Sequence, residues 1–279
     1  MNKLLLVLGV FALVLLSCTG NQKTSTDTAP ADSADSAMTE PADSLEELVE
    51  EVPMPKAADE LFDDFIFNFA ANKKLQLSRI KFPLQVEHNG ATVAPIAKAN
   101  WQVDHFFMNQ EYYTLLFNSH KQMEFMKDTS VSHVVIEKIY LEQSHVKQYI
   151  FDRVRGLWML NRIKEMPIQE NANASFLQFY HKFATDSEFQ LKSLNSTVMF
   201  VGPDPDDDFS QMEGVITPDT WPAFAPELPS GMLYNIIYGK EEQEGHQKIF
   251  MIRGIANGFE VELNFKRVGD RWLLTKLIT

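Results

Sequence analysis

One cysteine, Cys18, stands in a chain of 279 residues. No intramolecular disulfide can form, so the fold rests on packing and hydrogen bonding. The glycine-rich loops that cradle phosphates are missing: neither Gly-x-x-x-x-Gly-Lys nor Gly-x-Gly-x-x-Gly occurs, and no Gly-x-Ser-x-Gly turn is present to expose a nucleophilic serine. The seven histidines (His88, His105, His120, His133, His145, His181, His246) are scattered, with no His-Glu-x-x-His or other ligand spacing. Positive charge is also scarce. Lys and Arg number 25 against 38 Asp and Glu, a formal net charge of −13, and no basic stripe is present to follow a nucleic acid backbone. The apolar run Leu4–Leu16 falls short of the ~20 residues needed to cross a bilayer core.

That run, behind the short positive head Met1-Asn2-Lys3, reads as a secretory signal over residues 1–17. The following Leu15-Leu16-Ser17-Cys18 resembles the lipobox of bacterial lipoproteins, which implies cleavage before Cys18 and acylation of its thiol. A multiply acylated Cys18 would hold the protein on its membrane, since stable anchoring takes about two chains. Residues 18–57 are predicted to be a disordered linker. They lack aromatic residues, and from Thr19 to Glu60 eleven acids face only Lys23 and Lys56, a composition too polar and charged to repay the entropy of ordering. As a flexible coil the linker would span roughly 35 Å. Within it Thr28, Ser33, Ser36 and Ser44 each follow an Asp and precede a small or aliphatic residue, which resembles the O-glycosylation signal of Bacteroidetes; an Asp/Ser/Ala-rich linker also produces such triplets by composition alone. Thr19–Lys23 carries no acidic cluster of the kind found on surface-exported lipoproteins of that phylum. The expected location is therefore the cell envelope, at the outer membrane facing the periplasm.

Beyond the linker the chain repeats itself. Phe151, Arg153, Val154, Trp158 and Leu160 recur 114 residues later as Phe265, Arg267, Val268, Trp272 and Leu274. The same offset carries Phe62, Phe65, Phe69, Gln76 and Leu77 onto Phe176, Phe179, Phe183, Gln190 and Leu191. Trp101 meets Trp221 once six residues are added, and the segment 202–207 supplies them. This predicts a tandem duplication with a first unit at 58–166 and a second at 167–279, each of normal domain size and each expected to own a core.

Both units show the same order of signals. Three Phe spaced by three and four predict a helix, with Asp59 and Asn173 as expected N-caps. A short strand, a Trp-containing connection, an apolar strand (112–117; 233–238) and a three-stranded meander follow, and clean alternation at 259–266 gives each sheet one packed face. A helix followed by strands is an α+β arrangement. It is similar to the cystatin-like superfold that includes nuclear transport factor 2 relatives. With the lipobox, Gln76-Leu77 and Phe82-Pro83-Leu84, the chain also resembles a Bacteroides lipoprotein family of unknown function assigned to that superfold. The resemblance implies two tandem units, each an N-terminal helix packed on a curved antiparallel sheet, with a pocket between helix and sheet.

The residues expected to line such pockets are Trp101, Tyr112, Arg153, Trp221 and Arg267. Arg153 and Arg267 lie on the apolar side of their strands, where a guanidinium is costly unless paired. Each is either an anion-binding group or a scaffold residue pairing with a carboxylate or stacking on Trp158 or Trp272. Asp204, Asp206, Asp207 and Asp208 are the densest carboxylates, but an EF-hand loop counted from Asp204 puts Phe209 and Val215 where Gly and Glu are required. No metal or cofactor is expected. Two functional readings remain: a non-catalytic module binding a small ligand or envelope protein, or a small-molecule enzyme. The second would use a helix-sheet cavity for acid-base chemistry, with Asp104, Tyr112, Tyr113 and Tyr140 as available groups.

Overall fold

Phe62, Phe65 and Phe69 project from helix α1 (Phe62–Ala71) and close around a single strand residue, Phe151, at ring-centroid distances of 5.3, 6.0 and 5.4 Å. In the second half Phe176, Phe179 and Phe183 of α4 (Ala174–Thr185) close around Phe265 at 5.3, 5.6 and 5.2 Å. The tryptophan of each repeated phrase completes the cluster edge-on, with Phe62 at 5.0 Å from Trp158 and Phe176 at 5.3 Å from Trp272. Edge-to-face contacts of this kind add about 0.5–1.5 kcal/mol per pair beyond area burial. The repeated phrase is thus the sheet side of a helix-on-sheet contact made twice.

The computed structural model describes residues 56–204, 206–240 and 243–279. Cys18, Thr28, Ser33, Ser36 and Ser44, with the expected signal segment and nearly all of the expected linker, lie outside them. The chain runs through α1, α2 (Lys73–Arg79), β1 (Ile80–His88), β2 (Ala91–Ile96), β3 (Tyr112–Phe117), α3 (His120–Met123), β4 (His133–Tyr140), β5 (His145–Val154) and β6 (Leu157–Pro167). It then passes through α4, α5 (Ser187–Lys192), β7 (Leu194–Asp204), β8 (Asp207–Ile216), β9 (Met232–Tyr238), β10 (Gln247–Gly254), β11 (Glu260–Val268) and β12 (Arg271–Ile278). Apart from α3, which has no counterpart among the described residues, the second half repeats the first in order. Two features were not expected: a second short helix, α2 or α5, behind each long one, and a β2 or β8 that turns each short strand into a hairpin. The four aspartates belong to the second hairpin, where Asp204 and Asp207 carboxylates accept the backbone N–H of Asp206 (2.9 Å) and Phe209 (3.0 Å).

Two expectations are corrected. The sheets are mixed, because β1 runs parallel to β6 and β7 parallel to β12; the remaining neighbours are antiparallel. Each half also fails to own its core. The two six-stranded sheets have the orders β2-β1-β6-β5-β4-β9 and β3-β10-β11-β12-β7-β8. Strands β3 and β9 have changed places: β9 lines up with β4, and β3 with β10. Tyr234, Ile236 and Tyr238 of β9 are consequently buried with α1, and Leu116 of β3 with α4.

The pairing chemistry accounts for the exchange. Buried Glu137 of β4 faces buried Asn235 of β9, whereas Met251 of β10 faces Leu115 of β3. Glu137 accepts side-chain amide hydrogens from Asn235 (2.8 Å), Gln148 (2.9 Å) and Asn171 (2.6 Å), and Asn235 Oδ1 accepts Leu116 N–H (2.9 Å). Returning each strand to its own half at the same register would set Leu115 against the buried carboxylate and Asn235 against Met251. An unsatisfied buried polar group costs about 1–3 kcal/mol, so the exchanged pairing prevails.

Candidate functional site

The expected N-caps act differently. Asp59 accepts two guanidinium N–H bonds from Arg79, 2.8 and 2.7 Å, and one from Trp158 N–H at 3.2 Å. Asn173 stands at the N-cap of α4 without capping it, and its Oδ1 instead accepts from Lys248 Nζ. Glu244 serves that end by accepting Phe176 N–H at 2.8 Å. The side-chain caps that do form are Asn72 to Leu75 N–H (2.8 Å) and Asp186 to Phe189 N–H (2.9 Å), at the starts of α2 and α5.

The five candidate pocket residues do not converge. Trp101 and Trp221 each donate their indole N–H to a glutamine, Gln76 at 3.0 Å and Gln190 at 2.7 Å. Each glutamine in turn donates to the last turns of the long helix before it, at Phe69 O (2.9 Å) and Phe183 O (3.0 Å). Both tryptophans therefore tie the hairpin connection to the helices; Trp221 is buried, and Trp101 also borders a 380 Å³ pocket. Tyr112 opens β3 beside another pocket, of about 630 Å³, with Glu227 and Phe259, and burial raises its phenol pKa, helped by Glu227. The sequence linked Gln76 to Gln190 and Trp101 to Trp221 but had no signal that these pairs touch.

In the wall of the Trp101 pocket sits a cluster, built on Asp104 and Tyr149, that sequence reasoning missed. Asp104 takes two bonds from Lys138 Nζ, at 2.7 and 2.8 Å, one from Tyr149 OH at 2.5 Å, and one from Phe106 N–H at 2.8 Å. Burial works to raise the Asp104 pKa, but the Lys138 charge and these bonds together hold it below the usual carboxylate range. Burial and the neighbouring carboxylate drive the Tyr149 phenol far upward. The acid is held as an anion and the phenol as a neutral donor, so neither is poised near neutrality for proton transfer. A carboxylate spent on four bonds pins the 104–106 segment to the sheet. Of the groups considered for acid-base work, Asp104 bonds to neither Tyr112, Tyr113 nor Tyr140; Tyr113 instead interacts with Arg253 and Asp63.

Arg153 and Arg267 have diverged. Arg153 stacks over Trp158 at 4.7 Å and donates to Thr129 O (2.7 Å), Asp59 O (2.6 Å) and Glu60 O (2.6 Å). Chain residues 59 and 60 thus meet it. Among the described residues the Arg267 side chain has a long ion pair with Glu244, 3.7 Å, and it lines a groove of about 600 Å³ between α4, α5 and the β11–β12 turn. The floor is Phe179, Phe189 and Trp272, and the walls carry Lys182, Lys192, Arg267 and Arg271 against Asp270. At the 114-residue offset the first half has Asn68, Ser78 and Leu157 in place of Lys182, Lys192 and Arg271. That substitution pattern was present in the internal alignment and is the signal that could have found the groove.

The described half-repeats, the paired helices and the mixed sheets find a match among known proteins. A family model described as a domain of unknown function, DUF4348, matches residues 41–279. The chain belongs to this family. It is also similar to the crystal structure of an NTF2-like protein from Bacteroides fragilis, with 41% identity and a TM-score of 0.73, covering 81% of this chain and 98% of that one. No curated protein matches it. The family match begins at residue 41, fifteen residues before the first described one.

Proposed function

We propose that the protein is a non-catalytic binding module of the cell envelope, held on its membrane through a lipidated Cys18, which binds an anion with an apolar body in the groove over Trp272. The observation that carries this reading is the groove itself: aromatic floor, cationic walls, and three cations, Lys182, Lys192 and Arg271, where the first half has the uncharged Asn68, Ser78 and Leu157. Apolar surface supplies the affinity and the charges fix orientation, the usual division of labour in small-ligand sites. The NTF2-like neighbour is compatible with a binding module, and the Asp104 cluster offers no group poised for proton transfer. The two halves are read as a tandem duplication in which the arginine of one copy is met by the chain's own backbone and that of the other lines a groove. The linker serines and Thr28 are proposed as O-glycosylation sites, and the outer membrane, on its periplasmic side, as the location.

A thermal-shift comparison of the full-length chain with decanoate and with decanol tests the binding claim. A ligand at a hundred times its Kd adds about 2.7 kcal/mol, which raises Tm by several degrees in a protein of this size. Decanoate should stabilise the chain, decanol should not, and Arg271→Glu should remove the difference. Equal shifts with both compounds, or no shift, would overturn the anion reading. Lipid anchoring is checked separately: Cys18→Ala should move the protein from the membrane fraction to the soluble one.

A further inference from the structure

In the first half the arginine equivalent to Arg267 is met by the chain's own backbone, at the carbonyls of Asp59 and Glu60. We infer that the groove over Trp272 takes an acidic peptide segment of a partner protein, held in extended form as Asp59 and Glu60 are held in the first half. This rests on the reading of the groove as a ligand site and names its ligand class.

The first half shows what the scaffold binds. An aspartate side chain receives the Arg79 fork and the Trp158 N–H, while two successive backbone carbonyls, those of Asp59 and Glu60, both accept from one Arg153 nitrogen lying over the indole. Successive carbonyls are a property of a peptide rather than of a lone carboxylate, and the planar guanidinium suits them. The second half keeps the Arg and Trp, as Arg267 and Trp272, but its own incoming chain is diverted. The turn Ile168–Glu170 leads to Asn171, which donates to Glu137, and to Asn173, which accepts from Lys248. Among the described residues no pair of backbone carbonyls accepts from the Arg267 guanidinium; Glu244 pairs with it instead.

The other changes around the groove are those an acidic chain requires. Arg79, which holds the Asp59 carboxylate in the first half, is replaced at the equivalent position by Ser193. Lys182, Lys192 and Arg271 take over the positive charge around the groove. Lys192 shares its charge with Glu188 at 3.4 Å and Arg267 with Glu244 at 3.7 Å, and Asp270 faces the remaining two cations, Lys182 and Arg271, so the groove keeps a net positive charge. From Ser175 to Lys182 the lining runs about 10 Å along α4, the length of roughly three extended residues. An acidic peptide of that size reaches both the Arg267 end and the Lys182 end.

The probe is a fluorescein-labelled peptide with the sequence of residues 56–64, Lys-Ala-Ala-Asp-Glu-Leu-Phe-Asp-Asp, titrated by anisotropy against the full-length protein. Saturable binding is expected. It should weaken about tenfold or more with Arg271→Glu or Lys182→Glu in the protein, or Asp59→Asn in the peptide, the loss expected for a charge-assisted hydrogen bond. Both protein positions are solvent-exposed, and an unchanged Tm would show that the variants are folded. Absence of binding overturns the inference, as does equal binding of a scrambled peptide of the same charge or indifference to both protein variants. Stabilisation by decanoate without peptide binding removes the peptide inference and leaves the groove reading intact; failure of both probes removes the two together.

Discussion

Asp104 shows how a partly buried charge is made tolerable. Its carboxylate is engaged by Lys138, Tyr149 and a backbone N–H, and its pKa falls although burial opposes this. Since the folded value lies below the unfolded one, the cluster stabilises the protein above the ordinary carboxylate pKa of about 3.9. That contribution is lost as pH falls through the lower folded value. Asp104→Asn leaves Lys138 without its anion and should cost about 3 kcal/mol at pH 7. In urea melts the gap from the parent protein should shrink below about pH 4; a gap independent of pH would show that the charge pair is not its source. Asp63, which accepts from the Tyr238 hydroxyl, has the opposite sign. Burial raises its pKa, so its cost appears as pH rises through the ordinary value. Neither role was legible in the sequence, because Asp104 meets partners from β4 and β5 that only the fold brings to it.

At the scale of elements, the helices were readable and their fastenings were not. Phe62, Phe65 and Phe69 announce a helical face by spacing alone, and the face packs as expected around Phe151. The glutamine that follows on α2, and its counterpart on α5, were visible only as aligned letters. In the fold each bridges a helix end to a tryptophan more than two dozen residues away. Gln190→Leu should strand the Trp221 indole N–H and the Phe183 carbonyl together and lower stability by about 2 kcal/mol. Circular dichroism during thermal melting would record it, and a loss under about 0.5 kcal/mol, the ordinary scale of a surface change, would mean that the bridge is incidental. Hairpin partners β2 and β8 escaped notice because they are edge strands, largely exposed and without a clean alternation of apolar residues.

For the whole molecule, the exchange of β3 and β9 makes each half depend on the other. Residues 56–166 and 167–279 expressed separately should each expose a core lacking a strand and fail to give a cooperative melt; co-expressed, they should reassemble. Two independently folding halves would contradict the shared cores. Asn235→Leu tests the cause of the exchange, and leaving Glu137 short of a donor should cost about 2 kcal/mol. The amino-acid sequence by itself determined the α+β class, the internal likeness and its offset, the phenylalanine faces of the long helices, and the acidic stretch ahead of them, because periodicity, charge and internal likeness are local properties of the chain. Tertiary structure alone decided which half each of two similar apolar strands would join, which of two matching arginines would be met by the chain's own backbone, and where a groove would open. Those outcomes turn on pairings between distant residues, Glu137 with Asn235 and Arg153 with the carbonyls of 59 and 60, and no local pattern records them.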